Sequence, residues 1–262
     1  MSESLYDLML AQIGEAYEAG RFTEAGEQLR VALLQFPEDG RLIERQGLVW
    51  HASGDFTAAV RALETAALLV PLTISVQMVQ AHSYLRIGRK TEAQTILRYL
   101  ATRTDLPTPL LPQLCVGLGR VGEYQLALEM CREASLRDAE SDEAVYGMAF
   151  YMSKLGYPPE TVLPLLRRAF ALEPHRPIYR LGLAVACARN GLMREAYDLF
   201  RGLNVEQIAC VRCLDAMAQV CRNFGDKARV KACHDKVLAI ETSRGTAASS
   251  RPTTAETLRE AG

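Results

Sequence analysis

Seven glycines divide this chain at an almost constant interval, and that interval restricts the folds open to it more than any other feature. Gly20, Gly54, Gly88, Gly122, Gly156, Gly191 and Gly225 are separated by 34, 34, 34, 34, 35 and 34 residues. Two more ladders share the period. One runs Ala25, Ala59, Ala93, Ala127, Val162, Ala196 and Val230, the other Ala32, Ala66, Leu100, Ala134, Ala169, Leu203 and Val237. A fixed period of this length marks a structural unit that stacks on its own copies. Stability in such a chain comes from each unit and its neighbours, since one unit alone cannot bury its apolar faces.

Each period reads as two helices. Between Arg41 and Pro71, Leu42, Ile43, Gly47, Leu48 and Trp50 form one apolar face that ends at Ser53-Gly54-Asp55. Phe56, Ala59, Val60, Leu63, Ala66 and Ala67 form the next, which ends at Pro71. Apolar residues recurring at three and four predict amphipathic helices. Glycine at the turn takes the left-handed conformation that ends a helix, and proline stops the second helix. The small ladders fall where two helices must approach closely.

These residues resemble the tetratricopeptide repeat family, whose pattern places a small residue, an aromatic, Ala and Pro over 34 positions. The second repeat carries Gly47, Trp50, Gly54-Asp-Phe56, Ala59, Leu63, Ala66 and Pro71; the first carries Gly20-Arg-Phe22, Ala25, Leu29, Ala32 and Pro37; the fourth carries Cys115, Gly122-Glu-Tyr124, Ala127 and Ala134. Repeats three, six and seven depart, with Lys90, Met193 and Lys227 in the aromatic slot. The resemblance implies an all-α, right-handed α-solenoid of about seven hairpins over residues 1–244. The repeats are set at 6–39, 40–73, 74–107, 108–141, 142–176, 177–210 and 211–244. Residues 245–262, rich in Ser, Thr, Ala and Gly, are expected to form a disordered tail, with a short helix possible over Thr254 to Glu260.

Two irregularities interrupt the pattern. The turn Leu155-Gly-Tyr-Pro-Pro-Glu160 holds one extra residue, which should splay the fifth hairpin. Leu106-Pro-Thr-Pro-Leu-Leu-Pro112 places three prolines at the start of the fourth repeat, so its first helix should begin late, near Pro109 to Pro112.

Composition removes several function classes. The 30 basic and 31 acidic side chains nearly cancel, which gives no global attraction to nucleic acid or an anionic membrane. No stretch approaches the roughly 20 apolar residues that span a bilayer, and the acidic amino terminus has no signal-peptide pattern. Seven cysteines, an odd number spread along helices, predict reduced thiols and a cytoplasmic setting. Cys210-Val-Arg-Cys213 is a CxxC followed by Cys221, Cys233 and His234. However, Cys187, Cys221 and Cys131 occupy slots that Tyr or Leu fill in other repeats, so the thiols read as small core residues and no cofactor or metal is expected. The sequence lacks a phosphate-cradling glycine loop, a His-Glu-x-x-His and a nucleophile elbow, and no enzymatic activity is expected.

The resemblance implies that the first helix of each hairpin lines a concave groove. The residues expected there are Met78, His82 and Leu85, then Val116, then Tyr146 and Phe150, then Leu181 and Val185, with Ile178 beside them. A basic file of Arg86, Arg120, Lys154 and Arg189 recurs at 34, 34 and 35 residues along one edge, suited to clamping acidic groups or to complementing helix dipoles. His51 and His82 are expected to face the groove from adjacent repeats, where two imidazoles without a carboxylate partner read as simple polar lining. The carboxylate clamp of chaperone-binding family members has no counterpart, because its places hold Leu10, Gly14 and Arg45. These features predict a non-catalytic scaffold for a protein or peptide partner, with apolar residues for affinity and cations for register. A secretion-type chaperone for a hydrophobic client and an assembly subunit are the alternatives. Nucleic acid is not expected, since few aromatics stand beside the cations, and oligomeric state leaves no signature.

Overall fold

The computed structural model describes residues 5–249, and side chains through Ser243. Among the described residues all regular structure is helical, in fourteen α-helices and two short 3-10 turns. The chain divides at Leu155/Gly156 into two compact units, inside the turn that carries the extra residue.

The first unit holds α1 (Leu5–Glu18), α2 (Phe22–Gln35), α3 (Gly40–Ala52), α4 (Phe56–Leu69), α5 (Ile74–Arg86), α6 (Lys90–Ala101), α7 (Leu111–Val121), α8 (Tyr124–Arg137) and α9 (Asp142–Lys154). Each helix packs on the next, and the first helices of successive hairpins also touch, α3 with α5, α5 with α7 and α7 with α9. The second unit holds α10 (Pro159–Leu172), α11 (Pro177–Arg189), α12 (Met193–Arg201), α13 (Val211–Asn223) and α14 (Lys227–Ser249), with α11 against α13. The fold is an all-α solenoid of helical hairpins.

All seven glycines of the sequence ladder have positive φ, from 72° to 91°, and no other described residue does. At Gly54 an added Cβ would meet nothing within 4 Å, so only the left-handed backbone requires glycine there. Gly47 serves close approach instead. A Cβ on it would stand 2.6 Å from Cγ of Leu63, so the missing side chain lets α3 settle onto α4. Several helix starts are capped in the expected way. Asp39, Asp55, Thr73 and Ser141 accept backbone N–H bonds at the first turns of α3, α4, α5 and α9.

The two small-residue ladders are buried through the sixth repeat, with Ala25, Ala59, Ala93, Ala127 and Ala196 fully enclosed. In α14, Val230 and Val237 are only half-buried. The proline segment behaves as its chemistry dictates. Thr108–Leu110 makes a 3-10 turn and α7 begins at Leu111. The tail expected to be disordered from residue 245 starts differently, because α14 continues through Ser249. Thr242 and Ser243 donate hydroxyl bonds to the carbonyls four residues back, and two alanines follow in the added turn. The remainder of that segment, with the short helix expected at 254–260, lies outside the described residues.

Candidate functional site

The first helices of unit 1 bring two groups of expected residues together. In the first, α3 and α5 are joined by side chains rather than by packing alone. Ser83, fully buried, donates its hydroxyl to the carbonyl of Val79 at 2.9 Å. Its oxygen lies 2.7 Å from Nδ1 of His51 and, having spent its one proton, accepts there. His51 is therefore the Nδ1–H tautomer, and its Nε2 carries a lone pair. Nδ1 of His82 lies 3.4 Å from that atom and donates to it across the two repeats. The imidazoles meet edge to face at 5.2 Å, and Phe56 at the start of α4 borders both. The guanidinium of Arg86 sits 4.2 Å above the Phe56 ring.

Charge reinforces this arrangement. Burial first, then His82 and Arg86, lowers His51 to about 4. Burial, then Arg120 from α7 and Arg86, lowers His82 as well. Both rings are neutral at pH 7. Sequence reading brought His51 and His82 to one face but missed Ser83 and Phe56, which define the tautomer and the wall. A signal was present. The separation of 31 residues is one period less three, which sets the two rings about one helical turn apart in adjacent repeats.

The second group belongs to α9. Phe150 is 41% exposed and lies offset from Tyr146 with centroids 6.5 Å apart, and the Lys154 ammonium stands 5.3 Å from its ring. Val116 on α7 is 56% exposed. Behind them Tyr151 is buried and donates its hydroxyl to the carbonyl of Cys115 at 2.7 Å, over the bare surface of Gly119. Arg86, Arg120 and Lys154 have no carboxylate partner among the described residues, whereas Arg89 is held by both Glu64 and Glu92. Leu85 is half-buried. Met78 departs from expectation. It is 5% exposed and belongs to the core, where an unbranched apolar side chain gains most from leaving water.

In unit 2, Leu181 and Val185 are half-buried, Ile178 is 51% exposed and Arg189 is exposed. A cavity of about 1020 Å³ in this unit lies elsewhere, between Phe170, Arg180, Leu192, Arg194 and Phe224. The CxxC stands at the start of α13: Cys210 is exposed, and burial followed by the hydrogen bond to the Cys210 thiol pushes the Cys213 thiol up to about 12. Such a thiol stays protonated at neutral pH. Cys187 and Cys221 are buried, their thiols raised to about 11 mainly by burial. Among the described residues no three His, Cys, Asp or Glu side chains are placed to hold a metal ion, and no helix is long and apolar enough to cross a membrane.

A family model described as "Tetratricopeptide repeat" matches residues 10–75 and 163–204. No curated protein matches the sequence. Among solved structures, the chain is similar to a tetratricopeptide repeat protein from Parabacteroides merdae, at 15% identity over 97% of this chain and 96% of that one, with a TM-score of 0.69. The C-terminal part of a repeat-containing protein from Cytophaga hutchinsonii matches at 13% identity over 88% and 94%, with a TM-score of 0.62. YrrB, described as having an unusual peptide-binding site, matches at 15% identity over 80% and 98%, with a TM-score of 0.55.

Proposed function

We propose that this chain, which is built from tetratricopeptide repeats, is a non-catalytic scaffold that holds a segment of a partner protein against the first helices of its hairpins. The observation that carries the reading is the surface of α7 and α9. Val116 and Phe150 stay substantially exposed, and Arg120 and Lys154 stand near them without acidic partners. Exposed apolar side chains framed by unpaired cations suit an amphipathic segment with acidic positions. Tyr146 and Phe150 supply contact area, while Arg86, Arg120 and Lys154 set register through charge-assisted bonds. Leu181, Val185 and Arg189 form the corresponding surface in unit 2.

The peptide-binding site named for YrrB supports the general reading and is a property of that protein. A cytoplasmic setting belongs to the same proposal, on the odd number of cysteines distributed through the helices. Affinity capture from the source cell with the wild-type chain beside Tyr146→Asp/Phe150→Asp tests the scaffold. The double variant, checked for unchanged helical content, should lose the captured partners. Retention of the same partners by the variant overturns the role of this face.

A further inference from the structure

Scaffold binding through apolar contacts and cations does not require the histidine pair, yet the pair is held with care. A fully buried serine orients His51, His51 orients His82, and two guanidiniums with no carboxylate partner stand within electrostatic reach. We propose that His51, His82, Arg86 and Arg120 form an anion-binding site in unit 1 that takes up one proton as it grips a carboxylate or phosphate oxygen of the partner segment. This site rests on the scaffold reading above and adds to it the chemistry of the bound group and its response to pH.

The argument follows the protons. Ser83 uses its proton on Val79, so Nδ1 of His51 donates to Ser83 and Nε2 of His51 accepts from Nδ1–H of His82. That order leaves Nε2 of His82 with a lone pair and no protein partner among the described residues. A lone pair repels an anionic oxygen. The nitrogen becomes a donor only by taking a proton from solvent, which yields an imidazolium bonded to His51 on one side and to the anion on the other. Without an anion this proton is opposed by burial and by Arg120 and Arg86. An anion lying between the two guanidiniums cancels that opposition and accepts the new N–H bond, so occupancy and protonation favour each other.

The surroundings are consistent from every side. His51 faces His82 from α3, Arg86 from its own helix and Arg120 from α7. On α4 and α6, Glu64 is already committed to Tyr84 and Arg89, and Glu92 to Arg89. Phe56 holds the Arg86 guanidinium over its ring and leaves the N–H edge available. The two guanidiniums favour an anion over a cation at this place, and among the described residues no metal-binding group of carboxylates stands there.

The full chain is titrated with short fluorescent peptides that alternate leucine with glutamate or with glutamine, at about pH 7.5 and about pH 6.0 in fixed salt, where histidine linkage is read. The glutamate peptide should bind more tightly than the glutamine peptide. Its affinity should rise as pH falls, by at most about tenfold per pH unit for one linked proton. His82→Gln should flatten that rise and retain binding at the higher pH. Arg86→Gln/Arg120→Gln, at exposed positions that leave the fold intact, should abolish the preference for glutamate. A phosphoserine peptide compared at the higher pH alone assigns the group: tighter binding than glutamate names phosphate, weaker names carboxylate. Equal affinity of wild type for glutamate and glutamine peptides, or an affinity for the glutamate peptide that does not change with pH, overturns the site. If that equal binding is also lost in Tyr146→Asp/Phe150→Asp, the scaffold stands without it. Failure of every peptide to bind overturns the anion site, while the capture experiment judges the scaffold separately.

Discussion

The hairpin of α3 and α4 and the hairpin of α13 and α14 share one repeat pattern but are enclosed very differently. In α4, Ala59, Val60, Ala62, Leu63 and Ala66 are all buried. In α14 the only buried side chain among those described is Cys233, and Leu238 is 61% exposed. The slots of Ala59 and Ala66, fully enclosed in the second repeat, correspond to Val230 and Val237, half-buried in the seventh. The difference shows where the stabilising energy lies. A helix in this fold is buried by the following hairpin as well as by its own partner, so the same residue pattern yields a core in one place and a surface in another.

Leu63→Ala and Val237→Ala put that contrast to a direct test. Leu63 is fully buried against Gly47, and its truncation should cost about 3 kcal/mol, within the range of buried leucine deletions. Val237→Ala should cost less than about 1 kcal/mol. Urea unfolding measures both, and equal losses would break the comparison. Gly47→Ala comes next. Alanine normally stabilises a helix interior by about 1 kcal/mol over glycine. Here the new Cβ would collide with Leu63 at its branch point, so a net loss of roughly 1 kcal/mol is expected from overpacking. A gain in stability would show that α3 and α4 can part without cost.

The last effect is a pH dependence centred on the interior hairpin. His51, lowered to about 4 in the fold and near 6.5 unfolded, binds fewer protons folded than unfolded between those values. Its contribution to stability is complete above about pH 6.5 and is lost as pH falls toward about 4. Thermal melts at about pH 7 and about pH 5 should show a lower midpoint at the acid pH, and His51→Gln should reduce the difference. Hydrogen exchange should place the acid loosening in α3 and its neighbours, with α14 exchanging readily at both pH values. A slope unchanged by His51→Gln would assign the acid sensitivity to other groups.

The architecture was legible because it rests on backbone requirements that repeat. A glycine every 34 residues announces a left-handed corner whatever surrounds it, and Pro107, Pro109 and Pro112 delay a helix by removing N–H donors. The site was legible only in outline. The family resemblance implied first-helix positions for His82, Val116 and Phe150, and spacing aligned the cations, but the burial of Met78 depends on side-chain packing among several helices. The bond from His51 to Ser83 likewise needs a rotamer choice that no periodicity specifies. Residues of one helix are related by angle alone. Residues of different repeats are related by angle and by the depth at which neighbours fit together, and that depth is set by pairs such as Gly47 and Leu63.

At most of these corners the space beside the α-carbon is open. The demand for glycine there is therefore one of chirality and not of room. An alanine of the opposite hand, installed at Gly54 by chemical ligation, would adopt the required backbone angles more readily than any residue the ribosome supplies.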